Sequence, residues 1–216
     1  MIPLDGDDGA LPAELRRRVR DAAQAELRRV PIATPWQRQA GRAVAAVLAF
    51  SALALLGCVI AGIGPGARVG DKAPLLTVLL AAQAVGVWSI AAPFSRRRLG
   101  AAVVSAVVAG LAVALARTGA ATVAGSSPDW LCSVSHLAVD LVPAGVALWL
   151  LRGGAWHPLR AVAAGLAAGT VGLLVGEIGC ERGVAHVLIY HLGFWLVAAA
   201  GFLLATRRAR PRSFAP

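Results

Sequence analysis

Two cysteines and three histidines in the second half of this chain are spaced so that chemistry, and not packing alone, can follow from them. Cys132 stands 24 residues before Trp156 and Cys180 stands 24 residues after it. Trp156 marks the middle of a turn between Arg152 and Arg160 that contains Gly153, Gly154 and Pro158. If both flanking stretches are helical, the antiparallel hairpin sets the two thiols at one height, roughly 36 Å from the turn. Thiols so placed form a disulfide in an oxidising compartment or bind a soft metal. His136 lies one turn after Cys132, and His186 lies six residues after Cys180. His191 is five beyond His186, a spacing that does not share one α-helical face unless a turn intervenes. Cysteine with histidine is the usual ligand set for zinc-like ions, although no CxxC or HxxxH spacing is present. A static disulfide, a reversible thiol switch and a metal site are all compatible with these residues. The residue types demand no cofactor, and a zinc-like or other soft metal ion is the one they admit.

Two acids belong to the same region. Asp140 is two turns from Cys132, and Glu177 is about one turn before Cys180. Acids inside an apolar span are costly and often functional. They either hold a cation near the thiols or hydrogen-bond to Ser135, Thr170 or backbone. Cys58 lies within an apolar run and reads as a small packing residue. Gly165, Gly169, Gly172 and Gly176 include two four-residue spacings, which suit close helix packing.

The elements that must carry these residues are membrane spans. The chain has 216 residues, 58% of them hydrophobic and 15% charged, with mean hydropathy +0.71. Six apolar stretches, roughly 43–63, 73–93, 99–116, 134–151, 160–179 and 186–205, approach the ~20 residues that a bilayer core requires. With both termini cytoplasmic, 17 of the 21 basic residues fall inside, and only Arg68, Lys72, Arg117 and Arg182 fall outside. The expectation is an all-α membrane protein: a six-helix transmembrane bundle at 43–205 in the bacterial inner membrane, with a basic cytoplasmic tail at 206–216. Cys132 and Cys180 then face the oxidising outer side. The net charge of +10 is accounted for by these arginines and their anionic lipid neighbours, without direct nucleic-acid binding. The first forty residues contain no apolar signal core, so the first span serves as the insertion signal.

Residues 1–42 form the aqueous part. After an acidic, Gly-rich leader, Pro12 suits a first helical turn, and no Gly or Pro interrupts 13–30. Leu15, Val19, Ala22, Ala23, Leu27 and Val30 make one apolar stripe on that short amphipathic helix. The stripe must lie on lipid, pair with a copy of itself or dock in a partner's groove. It has no aromatic anchor, which favours the partner, with Leu15, Val19, Ala23, Leu27 and Val30 as the binding face. Pro31 ends the helix, and Pro35 with Trp36 makes a stiff approach to the bilayer.

The hairpin and last span resemble the NrsF family of bacterial inner-membrane anti-sigma factors, which restrain extracytoplasmic-function sigma factors. The resemblance is carried by Asp129-Trp130-Leu131-Cys132 before the fourth span and by Val175-Gly176-Glu177-Ile178-Gly179-Cys180 ending the fifth. Ala185-His186-Val187-Leu188-Ile189-Tyr190-His191-Leu192-Gly193 opens the sixth, and Leu11-Pro12-Ala13-Glu14-Leu15-Arg16 is similar to the opening of several small anti-sigma proteins. The resemblance implies a non-enzymatic regulator that holds a sigma factor through residues 13–30. It also implies redox or metal stress sensing through Cys132 and Cys180. It assigns no role to Asp140 or the histidines. Partners are then a cytoplasmic sigma factor and membrane lipids, with no small-molecule substrate. Two other readings compete. A quinone-linked thiol oxidoreductase would want a CxxC pair. A small transporter or metal-efflux subunit would want charge through the bilayer depth, whereas spans one to three carry only Gln83 as a strongly polar side chain.

Overall fold

The computed structural model describes residues 13–29, 35–63, 69–118, 128–152 and 156–208. Every regular element among them is helical. Residues up to Pro35 form one unit and the remainder a second.

The first unit contains α1, Ala13–Arg29. Leu15 and Val19 are exposed on it, and Arg18 pairs with Glu14 one turn back at 3.3 Å. Val30, the last residue of the expected stripe, lies outside the described residues.

The second unit has six helices long and apolar enough to cross a membrane. These are α2 (Trp36–Ile60), α3 (Val69–Ala91), α4 (Arg96–Ala116), α5 (Trp130–Arg152), α6 (Pro158–Gly179) and α7 (Val184–Arg208). The helix α2 begins at Trp36, before the expected start at 43, because the 36–42 stretch contains no residue that stops it. Trp36 packs edge-on against Trp88 at 5.5 Å, with the Arg98 guanidinium 5.6 Å from its ring centre.

The helix α6 is the hub. Of its apolar window 89% is buried, against 22–44% for the other five, so it alone is surrounded by protein. It packs on α2, α3, α4, α5 and α7. Its Ala- and Gly-rich sequence permits this, since small residues let neighbouring backbones approach. A β-carbon at Gly165 would fall 2.5 Å from the Ala199 α-carbon of α7, and one at Gly169 would fall 2.6 Å from the Trp195 ring. Trp195 uses the space to donate to the Leu166 carbonyl at 2.8 Å.

The start of α6 is fixed by His157, whose Nδ1 accepts from the Leu159 N–H at 3.2 Å, and by Pro158 in the first turn. Near the same end, buried Arg160 donates through Nε to the Ile90 carbonyl at 2.8 Å and so caps the last turn of α3. Within the apolar depth, Ser51 donates to the Gln83 Oε1 at 2.9 Å, which ties α2 to α3. Cys58 is buried among Leu76, Leu79 and neighbouring apolar residues.

Candidate functional site

At the end of the bundle where α5 begins and α6 stops, four side chains converge. One donor atom each from Cys132, Cys180, His186 and His191 lies within 4.8 Å of the other three. Cys132 belongs to the first turn of α5. Cys180 is the residue on which α6 ends; its backbone is extended, at φ −125° and ψ 125°, so the chain leaves the helix axis there. Both thiols are free. His186 and His191 come from the opening of α7.

The spacing of the two histidines is reconciled by a feature that has no sign in the sequence. Residues Val187–Gly193 wind as a π-helix, with hydrogen bonds to the fifth residue along. On an α-helix, residues five apart point about 140° away from each other. The wider winding brings them to one side, where their ring centres are 5.3 Å apart. No turn intervenes between them; the π winding does what an intervening turn would otherwise have to do. Ser133 of α5 donates to the Tyr190 carbonyl inside this segment at 3.0 Å and so pins it to the hairpin.

His186 has a polar atom beside both ring nitrogens, whereas His191 has one nitrogen left over. His186 Nδ1 is 3.1 Å from the Asp129 carboxylate, and its Nε2 is 3.3 Å from the Cys132 sulfur. Asp129 is steadied in turn by an ion pair with Arg182. His191 Nδ1 is 3.1 Å from His136 Nε2, while its own Nε2 is buried without a hydrogen-bond partner. The His136 and His191 rings meet edge to face at 4.6 Å.

The glycines of α6 make room for these rings. A β-carbon on Gly176 would lie 2.4 Å from His191 Nδ1 and 2.8 Å from His136 Nε2. One on Gly172 would lie 2.6 Å from His136 Nδ1 and 3.0 Å from Asp140 Oδ2. Close helix packing is therefore only part of the reason for this stripe, because two of its positions cradle polar side chains.

The remaining candidate residues serve elsewhere. Glu177 is not among the four clustered donors: its carboxylate takes Arg117 in a two-pronged pair at 3.0 and 3.3 Å, and Lys72 approaches at 3.9 Å. This buried pair ties the end of α4 and the start of α3 to α6. Asp140 is also outside the cluster, because its Oδ1 accepts from the Gly172 N–H at 2.7 Å. His136 contacts His191 and contributes no donor to the four. Asp129, Arg117 and Arg182 went unnoticed as site residues. Asp129 was open to notice, being three positions before Cys132 and so one helical turn away.

Over 201 residues, the sequence is 41% identical to the carotenogenesis protein CarR of Myxococcus xanthus, covering 92% of this chain and 90% of that one. The chain belongs to the CarR family. It is a multi-pass membrane protein of that family, all-helical among its described residues. No family model and no solved structure matches it.

Proposed function

We propose that this CarR-family chain is a membrane-bound anti-sigma factor. It holds an extracytoplasmic-function sigma factor at the inner membrane through α1 and responds to redox or metal stress at the Cys132–Cys180 centre. The observation that carries the reading is the pairing of two features in one small chain. One is a thiol–imidazole cluster at the end of the bundle where Lys72, Arg117 and Arg182 are the nearby basic residues. The other is a short helix with exposed Leu15 and Val19 on the arginine-rich N-terminal segment. The arginine asymmetry supports a topology with the first outside, the second inside and both termini cytoplasmic. The resemblance to the NrsF family supports the same division of labour, and the CarR relative is named for carotenogenesis, a process that such a regulator can govern.

The physical route runs through α6. Cys180 ends that helix, Cys132 begins the neighbouring one, and α6 touches every other span. A change in the bonding of the two sulfurs alters how α5, α6 and α7 close at one end. A difference of a few kcal/mol between two packings is enough to move the population. Sequestration itself needs no catalysis: apolar residues of α1 cover a surface that the sigma factor requires for polymerase.

The test is co-purification of sigma factors with the tagged full-length chain, wild type against Leu15→Asp/Leu27→Asp. Two carboxylates in an apolar groove cost several kcal/mol, a loss of binding by orders of magnitude. Wild type is expected to bring down a sigma factor and the double variant to lose it while still inserting in the membrane. Equal retention by both, or no sigma factor with wild type, overturns the reading.

A further inference from the structure

We infer that Cys132, Cys180, His186 and His191 form a resident zinc-class metal site, with two thiolates and two imidazoles around one ion. The inference deepens the sensing role given above, but metal binding is measured independently of any sigma factor. Four donors of this kind within 4.8 Å of one another are the Cys2His2 set that zinc takes in closed tetrahedral sites.

The surroundings of the donors point to the ligand independently of their clustering. A ligating histidine characteristically gives its second ring nitrogen to a carboxylate or another acceptor, which fixes the tautomer. Both histidines meet that condition. His186 offers Nδ1 to Asp129 and turns Nε2 to the Cys132 sulfur. His191 gives Nδ1 to His136, and its Nε2 is left as a partnerless donor on a residue only 1% exposed. A buried nitrogen without a partner is costly, and a metal ion removes that cost.

One tautomer assignment then serves both ligating imidazoles. With the metal on Nε2 of both histidines, His186 Nδ1–H donates to Asp129 and His191 Nδ1–H donates to His136 Nε2. His136 then carries its own proton on Nδ1, which, like Asp140 Oδ2 beside the same Gly172, has no hydrogen-bond partner. Asp129 and His136 are thus positioning residues for the two imidazole ligands. Arg182 holds Asp129, and the π-wound segment brings His191 round to face His186.

The experiment is metal analysis of the full-length chain, purified reduced in detergent and loaded with Zn2+ or with Co2+ as a spectroscopic probe. The expected result is about one zinc per chain and, with Co2+, the intense visible bands of a tetrahedral ion with thiolate charge transfer. Cys132→Ser and Cys180→Ser should each abolish both signals. Asp129→Asn and His136→Ala should retain the site with affinity lowered about 10–100-fold. Leu15→Asp/Leu27→Asp should bind metal as wild type does, so that loss of the sigma factor and loss of metal are read separately. Wild-type protein that stays metal-free under reducing conditions, or whose Co2+ spectrum is octahedral, overturns the site. So does zinc binding undiminished in both cysteine variants.

Discussion

At the residue scale, the cluster is held by contacts that leave little tolerance. Gly176 leaves no space for a β-carbon, so Gly176→Ala must push His191 or His136 aside. The expected cost is about 1–3 kcal/mol of stability, seen as a lowered Tm in detergent, together with loss of the metal-dependent spectrum. Gly100, with open space around the added carbon, is the matched control and should accept Ala without effect. Glu177→Gln tests the buried pair beside the cluster. Removing the carboxylate strands Arg117, whose side chain is 7% exposed, and breaking such a pair costs about 3–5 kcal/mol. A Tm unchanged by Glu177→Gln would show that Arg117 finds another partner or water there.

At the element scale, α7 carries the least expected structure. A π-wound stretch accommodates one more residue than the α-helix it interrupts, and such bulges occur often at functional sites. Deleting Gly193, which lies beyond both histidines and so keeps them five apart, should let residues 187–192 rewind as α-helix with Phe194 onward kept in register. His191 would then turn away from His186, and tetrahedral Co2+ absorption should disappear while membrane insertion persists. Retention of the full spectrum would mean that His191 is not placed by this winding. Such a feature is invisible in the sequence because it depends on tertiary support, here the Ser133 hydroxyl and the Gly176 cavity. The spans themselves were legible, since long apolar runs leave few alternatives to a membrane helix. The equal distance of Cys132 and Cys180 from Trp156 likewise marked their common height. The sequence leaves Glu177 open between cation holding and hydrogen bonding, because nothing in it shows that the end of α4 delivers Arg117 to its carboxylate.

At the scale of the whole molecule, the proposed function requires a thiol centre on one side of a bilayer to be joined to a protein-binding helix on the other. If both termini are cytoplasmic, as proposed, reduced and metal-stripped Cys132 in intact spheroplasts should react with a membrane-impermeant maleimide, and Cys58 should not. Labelling that requires permeabilised membranes would reverse the orientation. The central claim is that these two ends are coupled. The most direct measurement treats spheroplasts with that same maleimide, lyses them, and follows the sigma factor between membrane pellet and supernatant. Release from wild-type protein, with none from Cys132→Ser/Cys180→Ser, is the predicted result. A sigma factor that remains with the membrane after full modification of both cysteines, or that leaves the cysteine-free variant equally, would contradict it.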